Sequence, residues 1–141
     1  MARWYENLFP ALEELGIGFV AFSPLANGFL SDRYSASSEF DKSNDYRATM
    51  PQFQAESYNL NQKLLDMIKE IARTKDATPA QISLAWMLAK KPWIVPIPGT
   101  RKMSRLVENA GAADIVLSSA EVSAIDCQLD GIMMSKVFGQ R

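Results

Sequence analysis

A glycine turn that leads into a helix carries the strongest sign of chemistry in this sequence. Gly99 and Thr100 are followed by Arg101, Lys102 and Arg105. At such a turn the backbone N–H groups and the positive end of the helix dipole point to one spot, where hydroxyl and cationic side chains add donors and charge. The pattern predicts a phosphate site, and an exposed helix start is the alternative that the residues leave open.

Two polar residues further along that helix extend the same candidate site. Glu108 and Asn109 follow Arg105 by three and four positions, a spacing that places the three side chains on one helix face. They are therefore expected beside the phosphate. An ordinary ion pair between Arg105 and Glu108 is the alternative.

A second candidate site follows the first apolar stretch of the chain, at 17–22. Ser23 offers a hydroxyl group, and Gly28 allows a ligand to approach the backbone closely. Hydroxyl and backbone donors of such a turn are able to hold an anionic group. As an isolated pattern, however, it favours a purely structural turn between a strand and a loop.

Two short apolar stretches and several amphipathic segments must position these turns. The stretches at 17–22 and 93–97 are typical of strands, and the first is expected to be buried on both faces. Each candidate turn follows one of them, which is where α/β folds bind ligands. Helical spacing, capping residues and glycine stops predict helices over 6–15, 57–74, 79–89 and 103–111, and from Ser118 onward.

Residues 31–56 show neither the helical nor the strand period and are rich in Ser, Asp, Asn and Arg. A loop of this length in a compact protein is normally functional or disordered. We expect a long flexible loop that acts as a lid.

The composition excludes several classes of function. The sequence contains no histidine, which removes imidazole acid–base catalysis and most zinc sites, so no metal is expected. A net charge of −1 disfavours nucleic acid and anionic membranes as partners. Cys127, the single cysteine, is expected to be a buried small hydrophobic residue. The absence of disulfides and of long apolar runs fits a cytoplasmic location best.

Three collinear blocks of the sequence resemble the C-terminal part of the aldo-keto reductases. The blocks are Gly16-Ile-Gly-Phe-Val-Ala-Phe-Ser-Pro-Leu25 with Gly28, Thr78-Pro-Ala-Gln-Ile-Ser-Leu-Ala-Trp86, and Ile97-Pro-Gly-Thr100 through Arg105 to Asn109. The resemblance spans the chain from about Leu12 to Asp130.

The resemblance implies an α/β fold that is a fragment of a (β/α)8 TIM barrel. On this mapping Phe19 to Phe22 corresponds to strand seven and Ile94 to Ile97 to strand eight. Residues 1–141 are then a single, mostly helical partial domain. The implied activity of the parent enzyme is NADPH-dependent reduction of aldehydes or ketones.

The family's cofactor contacts map onto eight positions of this sequence. These are Ser23, Leu25 and Gly28 for the pyrophosphate, Gly99, Thr100 and Arg105 for the adenosine 2′-phosphate, and Glu108 and Asn109 for the adenine. Some branches of the family carry lysine where this chain has Gly99. We therefore expect Arg101 or Lys102 to supply part of the charge on the 2′-phosphate.

The family's catalytic aspartate, tyrosine, lysine and histidine lie upstream of everything matched here. No catalytic residue is assigned, and the chain alone is predicted to be inactive. Because two parallel strands cannot close a barrel, we expect a homo-oligomer, a rearranged fold, or a separate chain that supplies the missing strands. The alternative function is a non-catalytic oligomerising or regulatory fragment with a vestigial nucleotide site.

Overall fold

The computed structural model describes residues 3–131, and residues 1–2 and 132–141 of the expected domain lie outside the described residues. Every helix and strand expected from the sequence is present, within a few residues of its expected bounds. No helix among the described residues is long and apolar enough to cross a membrane. The elements are α1 (Phe9–Glu14), β1 (Phe19–Ala21), α2 (Ala55–Thr74), α3 (Pro79–Lys90), β2 (Ile94–Pro96), α4 (Met103–Ala110) and α5 (Ser119–Gly131), with short 3-10 turns at Arg3–Leu8, Ala26–Ser31, Tyr46–Thr49, Pro51–Phe53 and Gly111–Asp114.

β1 and β2 form a two-stranded parallel sheet. Phe19 lies opposite Ile94, and Val20 lies opposite Val95. Parallel neighbours cannot be joined by a tight turn and need a crossover connection, which here contains α2 and α3. Because both strands run in the same direction, the turns that follow them lie at the same edge of the sheet.

α3 is buried on most of its faces, as its sequence predicts. The side chains of Ile82, Leu84 and Trp86 are almost inaccessible to solvent, and the helix contacts both α2 and β2. Burying an apolar side chain of this size contributes about 1.5–3 kcal/mol. α3 is therefore the central helix that holds the sheet against the rest of the chain.

Two helices begin with the capping boxes that the sequence predicts. The Thr78 hydroxyl oxygen accepts a hydrogen bond from the N–H of Gln81 at 3.2 Å, and the Gln81 side chain accepts one from the N–H of Thr78 at 3.0 Å. Pro79 occupies the first turn of α3, where its missing N–H is harmless. Ser118 and Glu121 form the equivalent pair before α5.

The described helices cover only one face of the sheet, which corrects the expectation of a first strand buried on both faces. Phe19, Ala21 and Ile94 pack into the core, whereas Val20 and Val95 are 60% and 55% exposed. Successive side chains of a strand point to opposite faces, so covering one face leaves every second residue in solvent. The expectation that the side chains on this second face are buried was wrong.

Cys127 is exposed, so the expectation that it is buried was wrong. It lies on α5 midway between Ile125 and Leu129, which are both buried. Two helix positions correspond to a rotation of about 200°, and the cysteine therefore points away from the buried side of the helix.

The loop at 31–56 contains two of the 3-10 turns and an aromatic cluster. The rings of Tyr34, Phe40 and Phe53 lie at centroid distances of 5.2, 5.6 and 4.9 Å from one another. Tyr58 of α2 donates a hydrogen bond from its hydroxyl group to the carbonyl oxygen of Tyr34 at 2.8 Å. This bond ties the loop to α2. The expected flexibility of the loop stays a prediction.

Candidate functional site

An open cleft of about 770 Å³ lies where the two strands end. It is lined by the turn after β1, the turn after β2, one side of α4 and part of the loop at 31–56. The fold thus brings two candidate turns that are distant in sequence into one site. All nine positions singled out from the sequence line this cleft: Ser23, Leu25, Gly28, Gly99, Thr100, Arg101, Arg105, Glu108 and Asn109.

The turn after β1 has an unusual backbone. Ser23, Asn27 and Gly28 have φ angles of 49°, 58° and 96°, in the left-handed region. This region costs a non-glycine residue about 1–2 kcal/mol. At Gly28 a β-carbon would also lie 3.0 Å from Cε2 of Tyr34. Strained backbone of this kind persists where the surrounding structure holds it in place, and it clusters at ligand sites.

Side chains hold this turn in position. Asn27 Oδ1 accepts hydrogen bonds from the hydroxyl groups of Ser23 and Tyr46, each at 3.2 Å. Ser31 donates from its hydroxyl group to the carbonyl oxygen of Gly28 at 2.6 Å. Tyr46 belongs to the loop at 31–56, so its bond to Asn27 joins that loop to the turn.

The turn after β2 leaves donors at the start of α4. The Thr100 hydroxyl oxygen accepts from the N–H of Lys102 at 3.2 Å. Lys102 precedes α4, and no side chain caps the first-turn N–H groups of this helix. A β-carbon on Gly99 would meet no atom within 4 Å, so the space beside it is open. A ligand can therefore approach the positive end of the α4 dipole.

The cleft side of α4 carries an ion pair. Arg105 Nη1 donates a hydrogen bond to the carboxylate of Glu108, one helical turn further on. A charge-assisted bond of this kind restricts the guanidinium group to one wall of the cleft. The ion pair that the sequence left open as the alternative is therefore formed, and the expectation that Arg105 faces a phosphate stays a prediction.

Two arginines of the loop at 31–56 also line the cleft, and sequence reasoning did not single them out. The Arg47 guanidinium carbon lies 4.9 Å from the ring centroid of Tyr34 and 4.8 Å from that of Phe40. Arg47 also pairs with Asp45, and its hydrogen bond lowers the pKa of that carboxyl group. Arg33 lies 5.9 Å from the Tyr34 centroid. The sequence feature that could have pointed to these arginines is the position of their loop, which follows a strand. Loops at that position contact ligands in α/β barrels.

The cleft is strongly cationic. The carboxylates in its lining belong to Asp45 and Glu108, and each is paired with an arginine. Such an arrangement favours an extended polyanion. Within residues 3–131, no group of three or more His, Cys, Asp or Glu side chains is placed to hold a metal ion. The cationic side chains of the lining are Arg33, Arg47, Arg101, Lys102 and Arg105.

Parallel strands that end at one cleft and are connected through packed helices are typical of α/β folds, and in α/β barrels the last two strand loops often form a phosphate site. The chain belongs to the aldo-keto reductase family: the sequence model of the Aldo/keto reductase family matches residues 1–129. The resemblance drawn from the three sequence blocks is confirmed.

Curated relatives extend well beyond this chain. The aldo-keto reductase str7 of Strobilurus tenacellus is 42% identical over 121 residues, which are 84% of this chain and 35% of the relative. The aldo-keto reductase yakc [NADP(+)] of Schizosaccharomyces pombe is 40% identical over 82% of this chain and 34% of its own length. The chain therefore spans about a third of the length of these relatives.

Solved structures support the barrel assignment. The glycerol dehydrogenase AKR11B4 from Gluconobacter oxydans superimposes with a TM-score of 0.83 at 18% identity, covering 100% of this chain and 42% of that one. The thermostable aldo-keto reductase Tm1743, solved with the inhibitor epalrestat, gives a TM-score of 0.62 at 28% identity over 89% of this chain and 35% of its own. Both are (β/α)8 barrels, so the chain has the fold of part of such a barrel.

Proposed function

We propose that this chain is the cofactor-binding part of an aldo-keto reductase, and that its cleft binds the pyrophosphate and the adenosine 2′-phosphate of NADPH. The observation that carries the proposal is that two turns at the ends of neighbouring strands line one cleft together with five cationic side chains. A volume of about 770 Å³ is within the range of sites for small molecules and cofactors. The Schizosaccharomyces pombe relative carries NADP(+) in its name.

The turn after β1 fits a pyrophosphate. Ser23 can turn its hydroxyl group from Asn27 toward a phosphate oxygen, and the backbone from Leu25 to Gly28 lines the cleft beside it. Arg33 and Arg47 face the same space and supply positive charge. The aromatic stack and the ion pair of Arg47 hold its guanidinium group in place before a ligand arrives.

The turn after β2 fits the 2′-phosphate. The open space beside Gly99 admits the group, and the Thr100 hydroxyl lies next to it. Arg101 and Arg105 supply charge, and Arg105 can donate two parallel hydrogen bonds to phosphate oxygens. NADH lacks this phosphate, so these contacts favour NADPH.

The adenine ring is proposed to lie along the cleft side of α4. The Glu108 carboxylate can accept a hydrogen bond from the adenine amino group, and the Asn109 side chain can both donate and accept. Both residues line the cleft on the same side of the helix as Arg105.

When bound, NADPH supplies a hydride to a carbonyl carbon. The residues of this chain bind and orient the phosphate end of NADPH. We infer that the parent activity is the reduction of aldehydes or ketones. Because the family's catalytic residues belong to the preceding part of the barrel, this chain alone is proposed to bind NADPH without catalysing that reaction.

A second candidate function is a non-catalytic oligomerising or regulatory fragment with a vestigial nucleotide site. The exposed apolar face of the sheet favours it, because such faces usually mark interaction surfaces. Nucleotide titration separates the two candidates.

The test is isothermal titration calorimetry with NADPH and with NADH. Arg105→Ala should weaken NADPH binding about tenfold or more and change NADH binding far less. Arg73→Ala is the matched control, because Arg73 forms the same i, i+3 ion pair, with Glu70, on α2 and outside the cleft lining. Absence of saturable NADPH binding, or an equal loss for both nucleotides, would overturn the proposal.

A further inference from the structure

The turn after β1 uses several of its backbone donors internally. The N–H of Ala26 donates to the carbonyl oxygen of Ser23 at 3.0 Å. The carbonyl oxygen of Leu25 accepts from the N–H of Gly28 at 2.9 Å and from that of Leu30 at 3.2 Å. A backbone N–H group that already donates within a turn is not available to a ligand. An anion held at this turn therefore depends on side-chain donors.

Asn27 carries a side-chain amide group at the cleft side of this turn. Its Oδ1 accepts hydrogen bonds from the hydroxyl groups of Ser23 and Tyr46, each at 3.2 Å. Its amino group, by contrast, donates to no other residue in the part of the chain that the structure describes. A primary amide group carries two N–H donors on its nitrogen. Since the two hydroxyl groups hold the oxygen end of the planar amide, the amino end is left for a ligand.

The backbone at Asn27 suits this residue type. Its φ of 58° lies in the left-handed region, which asparagine and aspartate tolerate better than most residues with a side chain. Strained backbone of this kind is retained where the surrounding structure holds it, often at ligand sites. Aspartate or glycine can therefore replace Asn27 with little change in the shape of the turn.

We propose that Asn27 is a further binding residue of the cleft, whose side-chain amino group donates to a phosphate oxygen of the pyrophosphate, and that Ser23 and Tyr46 are its positioning residues. The proposal rests on the proposed function, because it adds a residue to the pyrophosphate site. It also accounts for the two hydroxyl groups on one oxygen: when Ser23 turns toward a phosphate, Tyr46 still holds the amide. Arg33 and Arg47 supply charge to the same cleft, whereas the amide supplies a directed donor.

A purely structural role for Asn27 makes a different prediction. In that role only its oxygen matters, because the oxygen joins the loop at 31–56 to the turn. Asn27→Asp keeps an acceptor for both hydroxyl groups and replaces the amino group with a second, negatively charged oxygen. Circular dichroism and thermal unfolding of this variant should therefore match those of the original chain. A structural role alone leaves its nucleotide binding unchanged as well.

The test is isothermal titration calorimetry with NADPH and with adenosine 2′-monophosphate, which lacks the pyrophosphate. We expect Asn27→Asp to lower NADPH affinity about tenfold or more at neutral pH, because a carboxylate then faces the phosphates. Asn27→Gly removes the amide without adding charge and should lower it about three- to tenfold. The affinity for adenosine 2′-monophosphate should change less than about threefold in both variants, because that ligand does not reach the turn after β1.

Asn44→Asp is the matched control. Asn44 also lines the cleft, but its amino group already donates to Asp41 and to Ser43, each at 3.0 Å. The substitution therefore adds the same charge to the same lining without removing a donor that is available to a ligand. NADPH affinity should fall less than about threefold.

Tyr46→Phe tests the positioning role, because it removes one of the two hydroxyl groups from the Asn27 oxygen. It should lower NADPH affinity about two- to fivefold in the original chain and cause no further loss when combined with Asn27→Gly, since it acts through the amide. Additive losses contradict this positioning role.

The role of Asn27 is overturned if Asn27→Asp binds NADPH as tightly as the original chain, or if it weakens both ligands equally. An equal loss for Asn44→Asp overturns it too, because the effect is then one of charge alone. These outcomes leave the proposed function standing, since the original chain still binds NADPH. If the original chain binds neither ligand, both proposals are contradicted.

Discussion

Arg105 and Glu108 form an ion pair along α4, on the side of the helix that faces the cleft. Glu108 is the more buried partner, with its side chain 14% exposed. The carboxylate therefore acts as an anchor for a guanidinium group that remains more accessible to a ligand. The same ion pair therefore stabilises the cleft side of α4 and positions the guanidinium group that is proposed to bind a phosphate.

Glu108→Gln tests whether the anchor matters for binding. Glutamine keeps an oxygen that can accept a hydrogen bond from adenine but removes the charge that holds Arg105. We expect NADPH affinity to fall about two- to fivefold. In a double-mutant cycle by calorimetry, Glu108→Gln should add little to Arg105→Ala, because the anchor acts through the arginine. Fully additive losses would show that Glu108 contributes independently.

Gly28→Ala tests the strained turn after β1. Its φ of 96° and the 3.0 Å approach of Tyr34 to a β-carbon oppose any side chain. We expect the free energy of unfolding to fall by about 1–2 kcal/mol in urea titrations. Gly99→Ala is the control, since a β-carbon there meets open space, and it should change stability by less than about 0.5 kcal/mol. Equal effects of the two substitutions contradict this account.

Thr78→Ala removes the side-chain acceptor of the capping box at the start of α3. Loss of such a cap costs about 1 kcal/mol, and α3 is the central buried helix. Thermal and urea unfolding should both report this loss. Thr74→Ala serves for comparison, because Thr74 donates to the carbonyl oxygen of Ile71 at the exposed end of α2 and should be near neutral. A Thr78 variant as stable as the original chain would show that the cap is redundant.

Glu121 makes stability depend on pH. Its carboxylate accepts from the N–H of Ser118 at 2.7 Å and pairs with Lys75 at 2.9 Å, and these contacts, the backbone bond first, lower its pKa below the ordinary value of 4.5. A group whose pKa is lowered by folding stabilises the protein above its unfolded pKa, and this contribution is lost as the pH falls through the folded value.

Glu121→Gln should therefore lower the unfolding temperature at neutral pH, and the difference from the original chain should shrink as the pH falls below 4.5. Thermal unfolding followed by circular dichroism between neutral and acidic pH measures this. Glu70→Gln is a suitable control, because the pair of Glu70 with Arg73 lies on the surface, where ion pairs contribute little. A difference that grows on acidification contradicts the assignment.

Local signals made most of the secondary structure predictable. Thr78 with Gln81 and Ser118 with Glu121 mark helix starts through contacts between residues three positions apart. Such contacts join residues that are close in the sequence, so no knowledge of the fold is needed to recognise them. The burial of Val20 and of Cys127 was predicted wrongly, because burial depends on what packs against a residue and on the rotation of its helix or strand.

Arg33 and Arg47 show most clearly what could not be predicted from the sequence. Arg47 reaches the cleft because the loop folds back, held by the bond from Tyr58 to Tyr34 and by the bond from Tyr46 to Asn27. These partners are 24 and 19 residues apart, and no periodicity marks such pairs in advance.

By itself, the sequence determined where the helices and strands lie and which two turns carry the residue types suited to phosphate, because capping, periodicity and turn chemistry are local. Only the tertiary structure decided that the two turns share one cleft. The parallel pairing of β1 with β2 brings the carboxyl ends of both strands to the same edge, and this pairing joins residues that are remote in the chain. The tertiary structure also decided which faces of the sheet and helices are exposed to solvent, because exposure depends on all the elements that pack around a residue.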